Sequence, residues 1–356
     1  MGPLPSPYIA PHASSSFFNQ SWYPLPRFDD LPSCEGTPQG CAWGVFDGPN
    51  TTDVYGTLNL LTEEVIRNAR DEITEGVSIS LSWPLDGMKA DLTGRKSLNH
   101  TLLTLKETGL GEFGWDEEIS LNTQISSHWD SYCHWPHQTT GLTYNGFQCT
   151  EENVEKAAEH KGILPTQENW LQRGGIVGRA VLLDYINYAE THGIQVSPFE
   201  YHPITAQDLE DVAAAQNVEL RFGDILLVRT GLVGALTGLN AEEQLGAMSS
   251  GASIGLEPSR SMARWVWDHH LAAIAADNLA VEAMGPNSTA AQSDFPSLPL
   301  HHWFLTMFGL PIGEIWDLEN LSEHCRESGK YSFFLTSIPL NIPGLIASPL
   351  NALAIF

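Results

Sequence analysis

The chain has 356 residues, of which 42% are hydrophobic and 10% aromatic, and this composition is typical of a packed globular protein. Asp and Glu number 43 against 17 Lys and Arg, giving a formal net charge of −26. An acidic surface repels nucleic acid and anionic lipid, so we expect no partner of either kind. We also expect no membrane span, because the sequence has no run of about 18 apolar residues.

The cysteines and the first residues bear on the compartment. The five cysteines are odd in number and contain no Cys-x-x-Cys pair. A disulfide framework is therefore not expected, and a reducing interior is the default. The amino-terminal residues lack the basic region and uninterrupted apolar stretch of a secretory signal. These features together predict a cytoplasmic protein.

Composition also suggests how the chain is divided. Residues 1–41 are rich in Pro, Ser and aromatic residues without a period, which predicts an N-terminal arm. This arm is expected to wrap over the body or over a neighbouring subunit. Residues 42–356 contain no internal repeat and no low-complexity linker, so we predict a single domain there.

Strand and helix signals alternate through the body of the chain. A helix is predicted to begin after Thr62, another after Thr205, where Asp208 completes a capping-box pattern, and a third spans 259–268. The predicted strands are 77–81, 178–184, 223–229, 271–277, 332–336 and 351–355. This order predicts an α/β domain with a mixed β-sheet or barrel-like core and surrounding helices.

The most informative segment is 124–137, where three of the thirteen histidines fall within ten residues. If it is extended, one face of the strand carries Gln124, Ser126, His128 and Asp130. An imidazole and a carboxylate on one face can both bind a divalent ion. His134 lies just past the expected end of the strand, close enough to act as a catalytic base. Alone, the His-x-Asp pattern is equally typical of a simple hydrogen-bonded pair.

A second segment contains two adjacent histidines, His301 and His302, followed by Glu314 after a Gly-Leu-Pro turn. A histidine on a short helix and a glutamate twelve residues later can converge on one point. Taken by itself, an apolar helix that carries a stray histidine is the more usual interpretation.

Together these segments resemble the cyclase family that includes bacterial kynurenine formamidases and isatin hydrolases. The family signature is His-x-Gly-Thr-His-x-Asp-x-Pro-x-His, followed later by a His and a Glu twelve residues apart. Its second His falls on His128, its Asp on Asp130 and its final His on His134. The twelve-residue spacing selects His302 and Glu314 as the late pair. The resemblance runs over roughly residues 42–356.

The resemblance implies metal ligands at His128, Asp130, His302 and Glu314, with His134 as the general acid/base. The first His of the signature is replaced by Gln124, a weaker neutral ligand, so we expect one divalent ion, Mn²⁺ or Zn²⁺, rather than two. The family fold is an α/β architecture around a barrel-like mixed sheet, and its members are usually homodimers or larger homo-oligomers.

The activity implied is metal-dependent hydrolysis of an amide, lactam or related carbonyl group of a small aromatic substrate. Candidate substrate-binding residues are Trp129 and Tyr132, which lie within the signature, and Trp135, which follows it. Trp43 is a further candidate, since the family often places an early Trp near the ligand. A core position is an equally good interpretation of Trp43. Two alternatives stay open: a metal-dependent cyclase or lyase acting on a polyketide-like metabolite, and a binding protein of the same fold without catalysis.

Overall fold

The computed structural model describes residues 25–90, 94–286 and 299–356, so residues 1–24 of the predicted arm lie outside the described part. Its strands are β1 (Ser78–Ser80), β2 (Asn99–Thr104), β3 (Trp115–Ser120), β4 (His128–Asp130), β5 (Ile176–Asp184), β6 (His202–Ile204), β7 (Ile225–Arg229), β8 (Ile254–Leu256), β9 (Ala273–Ala276), β10 (Ile312–Glu314), β11 (Ser332–Ser337), β12 (Ala347–Pro349) and β13 (Leu353–Ile355).

The α-helices are α1 (Glu63–Ala69), α2 (Glu151–Ala158), α3 (Gln167–Gln172), α4 (Tyr185–Thr191), α5 (Ala206–Ala215), α6 (Leu232–Leu236), α7 (Ala241–Ala247), α8 (Arg260–Asp268), α9 (Pro299–His301) and α10 (Glu319–Ser328). Short 3₁₀ turns occur at Phe28–Asp30, Gly56–Leu60, Arg70–Glu72 and Tyr144–Gly146, and a π-helical segment, His302–Phe308, continues α9. Within the described residues, no helix combines the length and apolar character that crossing a membrane requires.

One curled mixed sheet organises the molecule, with strand order β1-β13-β11-β5-β7-β9-β10-β4-β12. Its centre is parallel from β5 through β7 and β9 to β10, and both flanks are antiparallel. The central strands are buried almost throughout, as expected for parallel strands with both faces covered. The predicted α/β class with a barrel-like mixed sheet is therefore confirmed.

The strand and helix predictions agree with the structure in the middle and at the end of the body. All six predicted strands occur, as β1, β5, β7, β9, β11 and β13. Thr205 and Asp208 form the predicted capping box at the start of α5, and Thr62 caps α1 by accepting the amide N–H of Val65. The β2–β3 hairpin forms a separate two-stranded sheet that the sequence analysis did not predict.

The described part of the arm packs on the body. The Phe28 side chain is fully buried, and its ring lies 5.4 Å from that of Trp303. Its backbone N–H donates to the Asp268 carboxylate at 2.8 Å. A disulfide joins Cys34 to Cys41 with a Cα separation of 5.9 Å, a bond that the sequence analysis did not anticipate.

The register between β10 and β4 brings distant segments of the chain together. The two strands are antiparallel, with Glu314 opposite His128 and Ile312 opposite Asp130. On its other side β10 pairs in parallel with β9, where Gly313 lies opposite Ala275. Strand β10 is thus held between the parallel centre and the antiparallel edge of the sheet.

We predict that Gly313→Ala lowers the free energy of unfolding by about 2 kcal/mol, since an added methyl group overpacks this part of the core. A Cβ at this position would lie 2.6 Å from Trp316 Nε1 and 2.7 Å from Ala275 Cβ. Urea denaturation followed by fluorescence measures the change. The control is Gly246→Ala on α7, where an added Cβ meets nothing within 4 Å and stability should hold or rise slightly. Equal stability of the two variants would contradict the prediction.

Candidate metal centre

Strand β4 carries the first part of the site. The side chains of His128 and Asp130 are completely buried and share one face, as predicted. The prediction of an extended strand back to Gln124 is wrong, because residues 124–127 form turns and bends and only 128–130 are paired. Gln124 nevertheless reaches the site, because its amide nitrogen donates to Asp130 Oδ1 at 2.8 Å. This contact places Gln124 beside the carboxylate as a hydrogen-bond donor.

Strand β10 supplies the opposing carboxylate. Glu314 Oε2 lies 3.5 Å from His128 Nε2, and Asp130 Oδ2 lies 3.6 Å from the same nitrogen. The other ring nitrogen, His128 Nδ1, is 2.8 Å from the backbone carbonyl oxygen of Ser126. With Nδ1 donating to that carbonyl, Nε2 is the nitrogen that faces the two carboxylates.

The histidine that meets Glu314 is His301, whereas the spacing rule selected His302. The Nε2 atom of His301 is 3.2 Å from Glu314 Oε1. The His302 ring lies on another side, 5.0 Å from the ring of His137. Successive residues of a helix differ in direction by about 100°, so two adjacent histidines cannot face the same point. The geometry therefore favours His301 over His302 in the ligand set.

His134 lies at the more accessible side of the cluster. Its side chain is 19% exposed, whereas those of His128 and Asp130 are fully buried. Its Nε2 atom is 3.9 Å from Asp130 Oδ2, and the Gln124 amide nitrogen is 3.2 Å from the same Nε2 atom. The structure thus brings His134 to the edge of the site predicted for it. His137, by contrast, hydrogen-bonds to Thr140 Oγ1 outside the cluster.

The donor atoms form two overlapping groups that could hold an ion: Asp130, His134 and His301, and His128, Asp130 and Glu314. Within each group the donor atoms lie within 4.8 Å of one another. Among the residues that the structure describes, the buried atoms His128 Nε2 and Asp130 Oδ2 have no hydrogen-bond partner. Because buried polar atoms are rarely left unsatisfied, these two fit a site whose ligand is a cation.

The electrostatics of the cluster follow from burial and from close opposite charges. Burial lowers the pKa of His128, but the Asp130 and Glu314 carboxylates outweigh it and raise that pKa to about 9. Burial raises the pKa of Glu314, yet His301 and His128 hold it well below its usual value. The pKa of His134 is lowered, because burial disfavours the charged ring more than Asp130 favours it.

The pKa of His302, which lies outside the cluster, shifts in the direction opposite to that of His128. Burial, with a smaller effect from His137, lowers the pKa of His302 to about 4. The raised pKa values of His128 and His301 thus reflect the carboxylates that they contact.

The predicted substrate-binding aromatics take different places. Trp129 and Tyr132 are fully buried; Trp129 packs on Trp316 at 4.9 Å and Tyr132 donates a hydrogen bond to the carbonyl oxygen of Tyr55. Trp43 is half-buried and donates to the Thr306 carbonyl oxygen at 2.7 Å.

The aromatic ring that borders the cluster is that of half-buried Trp135. It lies 6.0 Å from the His301 ring and 6.3 Å from the His134 ring. A substrate wall at this position would therefore be built by Trp135. Trp129 and Tyr132, which precede it in the sequence, belong to the core.

Glu282 completes the cluster. Its Oε2 atom is 2.8 Å from His301 Nδ1, and its side chain is 1% exposed. Glu282 follows the predicted strand 271–277, and residues beyond the carboxyl end of a strand can line a pocket. Asp277, at the end of that predicted strand, instead accepts hydrogen bonds from the backbone N–H groups of Thr230 and Gly231 and orders that turn.

If His301 is the ligand, His301→Ala should weaken divalent-ion affinity by more than about 100-fold. Loss of a ligand's hydrogen-bond partner costs about 10–100-fold, and loss of the ligand itself should cost more. His302→Ala should leave affinity within about threefold, because its ring faces His137. Competition with a chromophoric chelator, using Zn²⁺ and Mn²⁺, measures both constants, and circular dichroism checks that each variant is folded. A larger loss of affinity in His302→Ala than in His301→Ala would identify His302 as the ligand.

The raised pKa of His128 predicts a pH effect in metal-free protein. A histidine whose folded-state pKa lies above its ordinary 6.5 stabilises the fold below pH 6.5 and loses this contribution as the pH rises through about 9. Between those values the free energy of unfolding should therefore fall more steeply for the chelator-treated wild type than for His128→Asn. His192→Asn, at an exposed position, should follow the wild type. Parallel curves for wild type and His128→Asn would refute this.

Comparison with known proteins places the fold. A family model described as putative cyclase matches residues 57–283. A crystal structure described as a novel cyclase shares 31% sequence identity, and the match covers 89% of this chain and 99% of that chain at a TM-score of 0.75. A comparison with curated proteins found no match.

Two isatin hydrolase structures share the fold at lower identity. Isatin hydrolase A from Ralstonia solanacearum matches at 16% identity and a TM-score of 0.52, over 81% of this chain and 93% of that chain. An isatin hydrolase bound to the product analogue thioisatinate matches at 15% identity and a TM-score of 0.54, over 81% and 95%. Because the family model spans most of the body and the 31% identical cyclase structure extends the match over nearly the whole chain, this protein belongs to the putative cyclase family.

Proposed function

We propose that this protein is a metal-dependent hydrolase that acts on an amide, lactam or related carbonyl group of a small aromatic substrate. One observation carries the proposal: three buried carboxylates, those of Asp130, Glu282 and Glu314, meet histidines and no Lys or Arg among the described residues. Burying three carboxylates is costly. With the histidines neutral, one divalent cation would offset two of the three negative charges, and the backbone N–H groups of Leu300 and His301 donate to the carboxylate of Glu282.

Other buried carboxylates of the fold are neutralised differently. Arg179 pairs with Asp224 and with Glu72, and Arg229 pairs with Asp184 at 2.9 Å. Arginine thus neutralises some of the buried acids that stabilise the fold, whereas Asp277 is held by backbone N–H groups. In the cluster, histidine rather than arginine contacts the carboxylates, and a neutral imidazole nitrogen is a common metal ligand.

His128, Asp130, His301 and Glu314 would hold the ion, and a mixture of imidazole and carboxylate donors suits Zn²⁺ or Mn²⁺. When bound, such an ion supplies a Lewis acid that polarises a carbonyl group and makes water more acidic. We propose one ion rather than two, since the amide nitrogen of Gln124 donates to Asp130 and leaves one carboxylate oxygen, Oδ2, directed at the centre.

His134 is suited to proton transfer. Its ring is partly exposed, so it can contact a substrate that the fully buried His128 cannot reach. Burial lowers the pKa of His134, which favours the neutral ring that a general base requires. We propose that His134 removes the proton of the attacking water and delivers it to the leaving group.

The substrate class rests on the surroundings of the cluster and on the shared fold. Trp135 borders His134 and His301 and would give an aromatic substrate a stacking surface. The two similar structures named isatin hydrolase favour hydrolysis.

We also propose that the protein is a homodimer or larger homo-oligomer, which is what the family resemblance implies. The proposed location is cytoplasmic, as the sequence features predict.

The test is turnover of His134→Ala on a panel of aromatic formamides, lactams and lactones with Zn²⁺ or Mn²⁺. We expect kcat to fall about 10²–10⁴-fold, the usual contribution of a general acid/base, while bound metal per chain stays at the wild-type value. His160→Ala, an exposed histidine outside the cluster, serves as control. Full turnover in His134→Ala would contradict the acid/base role.

Mass spectrometry of the product separates the alternatives. Hydrolysis adds one water to the substrate mass, whereas elimination of water by a lyase removes one and an isomerising cyclisation leaves the mass unchanged. The family's description as putative cyclase makes the outcomes other than hydrolysis worth measuring. Failure of the wild type to bind either ion after repletion would favour the non-catalytic binding protein.

A further inference from the structure

Glu282 is a buried carboxylate to which the proposed mechanism gives no task. Its Oε2 atom contacts His301 Nδ1 at 2.8 Å, and its Oε1 atom accepts the backbone N–H groups of Leu300 at 3.1 Å and His301 at 3.3 Å. The carboxylate thus holds both the backbone and the ring of His301. On the far side of the ring, Nε2 faces Glu314.

The position of Glu282 is fixed by the fold. The residue bridges in parallel to Leu256 at the end of β8, where the backbone N–H of Ala283 donates to the Leu256 carbonyl oxygen at 2.9 Å. Gly255 permits this approach, because a Cβ there would lie 2.4 Å from the carbonyl carbon of Glu282. Glu282 therefore reaches His301 from a separate, anchored segment of the chain.

A carboxylate that accepts a hydrogen bond from Nδ1 requires the hydrogen to be on that nitrogen. The Nε2 lone pair is then the one presented to the centre of the cluster. His128 is arranged in the same way, with Nδ1 on the carbonyl oxygen of Ser126 and Nε2 toward the carboxylates. Both histidines thus point the same nitrogen inward, but only His301 depends on a carboxylate for it.

We propose that Glu282 is a positioning residue that orients the His301 ring and determines which of its nitrogens binds the metal ion. This inference rests on the proposed function, because it takes His301 as a ligand. Such hydrogen-bond partners of metal-binding histidines typically contribute about 10–100-fold to metal affinity. A simpler role, capping the start of α9 through the two backbone N–H groups, would affect stability alone.

The experiment measures the Zn²⁺ dissociation constant of the full-length protein by chelator competition, for wild type, Glu282→Ala and Glu282→Gln. We expect Glu282→Ala to weaken binding about 10–100-fold. Glu282→Gln, which keeps a neutral oxygen acceptor, should fall between the other two. Glu72→Gln is the control, since it removes another mostly buried carboxylate that bonds Arg179 and Ser332 away from the cluster.

A second readout separates positioning from capping. In zinc-loaded wild type, ¹H–¹⁵N spectra should contain a protected imidazole N–H resonance from His301 Nδ1, and it should be lost or exchange rapidly in Glu282→Ala. Unchanged zinc affinity and an unchanged resonance in a folded Glu282→Ala would overturn the inference, even if unfolding occurs at lower denaturant. A wild type that binds neither Zn²⁺ nor Mn²⁺ would overturn the proposed function, and this inference with it.

Discussion

The antiparallel register of β4 and β10 is the constraint on which the candidate site depends. It sets Glu314 opposite His128, so a carboxylate and an imidazole from segments almost two hundred residues apart meet inside the sheet. A slip of one residue would turn every side chain of β10 to the opposite face. The limited space at Gly313 opposes such a slip, because a Cβ there would lie 2.6 Å from Trp316 Nε1 and 2.7 Å from Ala275 Cβ on β9.

That register also buries carboxylates beside histidines, with no Lys or Arg salt bridge to them among the described residues. Burying carboxylates without partners carries a large desolvation cost, and elsewhere Arg179 and Arg229 offset it directly. In the cluster the compensation comes from His128 and His301, whose pKa values rise against the opposing effect of burial. Proton and divalent cation therefore compete for the same buried ring nitrogens, and metal affinity becomes linked to pH.

Much of the fold could be predicted from the sequence, because its central strands are apolar runs with clear ends. The runs 178–184 and 223–229 are buried on both faces, and Thr205 with Asp208 marks the start of α5 by local hydrogen bonds. Short strands such as β4 and β10 carry too little pattern, since tertiary pairing alone makes them strands. For this reason the extended conformation predicted at 124–127 was wrong, although Gln124 still contacts Asp130 through a turn.

The choice between His301 and His302 shows where sequence spacing stops being informative. The orientation of His128 is a local property, because its ring bonds a carbonyl oxygen two residues earlier in the chain. The orientation of His301 depends on Glu282, which the bridge to Leu256 holds in place. Sequence spacing does not show how a helix is rotated about its axis, so it cannot tell which of two adjacent histidines faces the site. The two are distinguished only by the side chains that lie opposite each of them. The carboxylates of Glu282 and Glu314 lie on either side of His301, and the ring of His137 packs against His302. The site is therefore assembled by contacts among distant segments as much as by the motif that first indicates it.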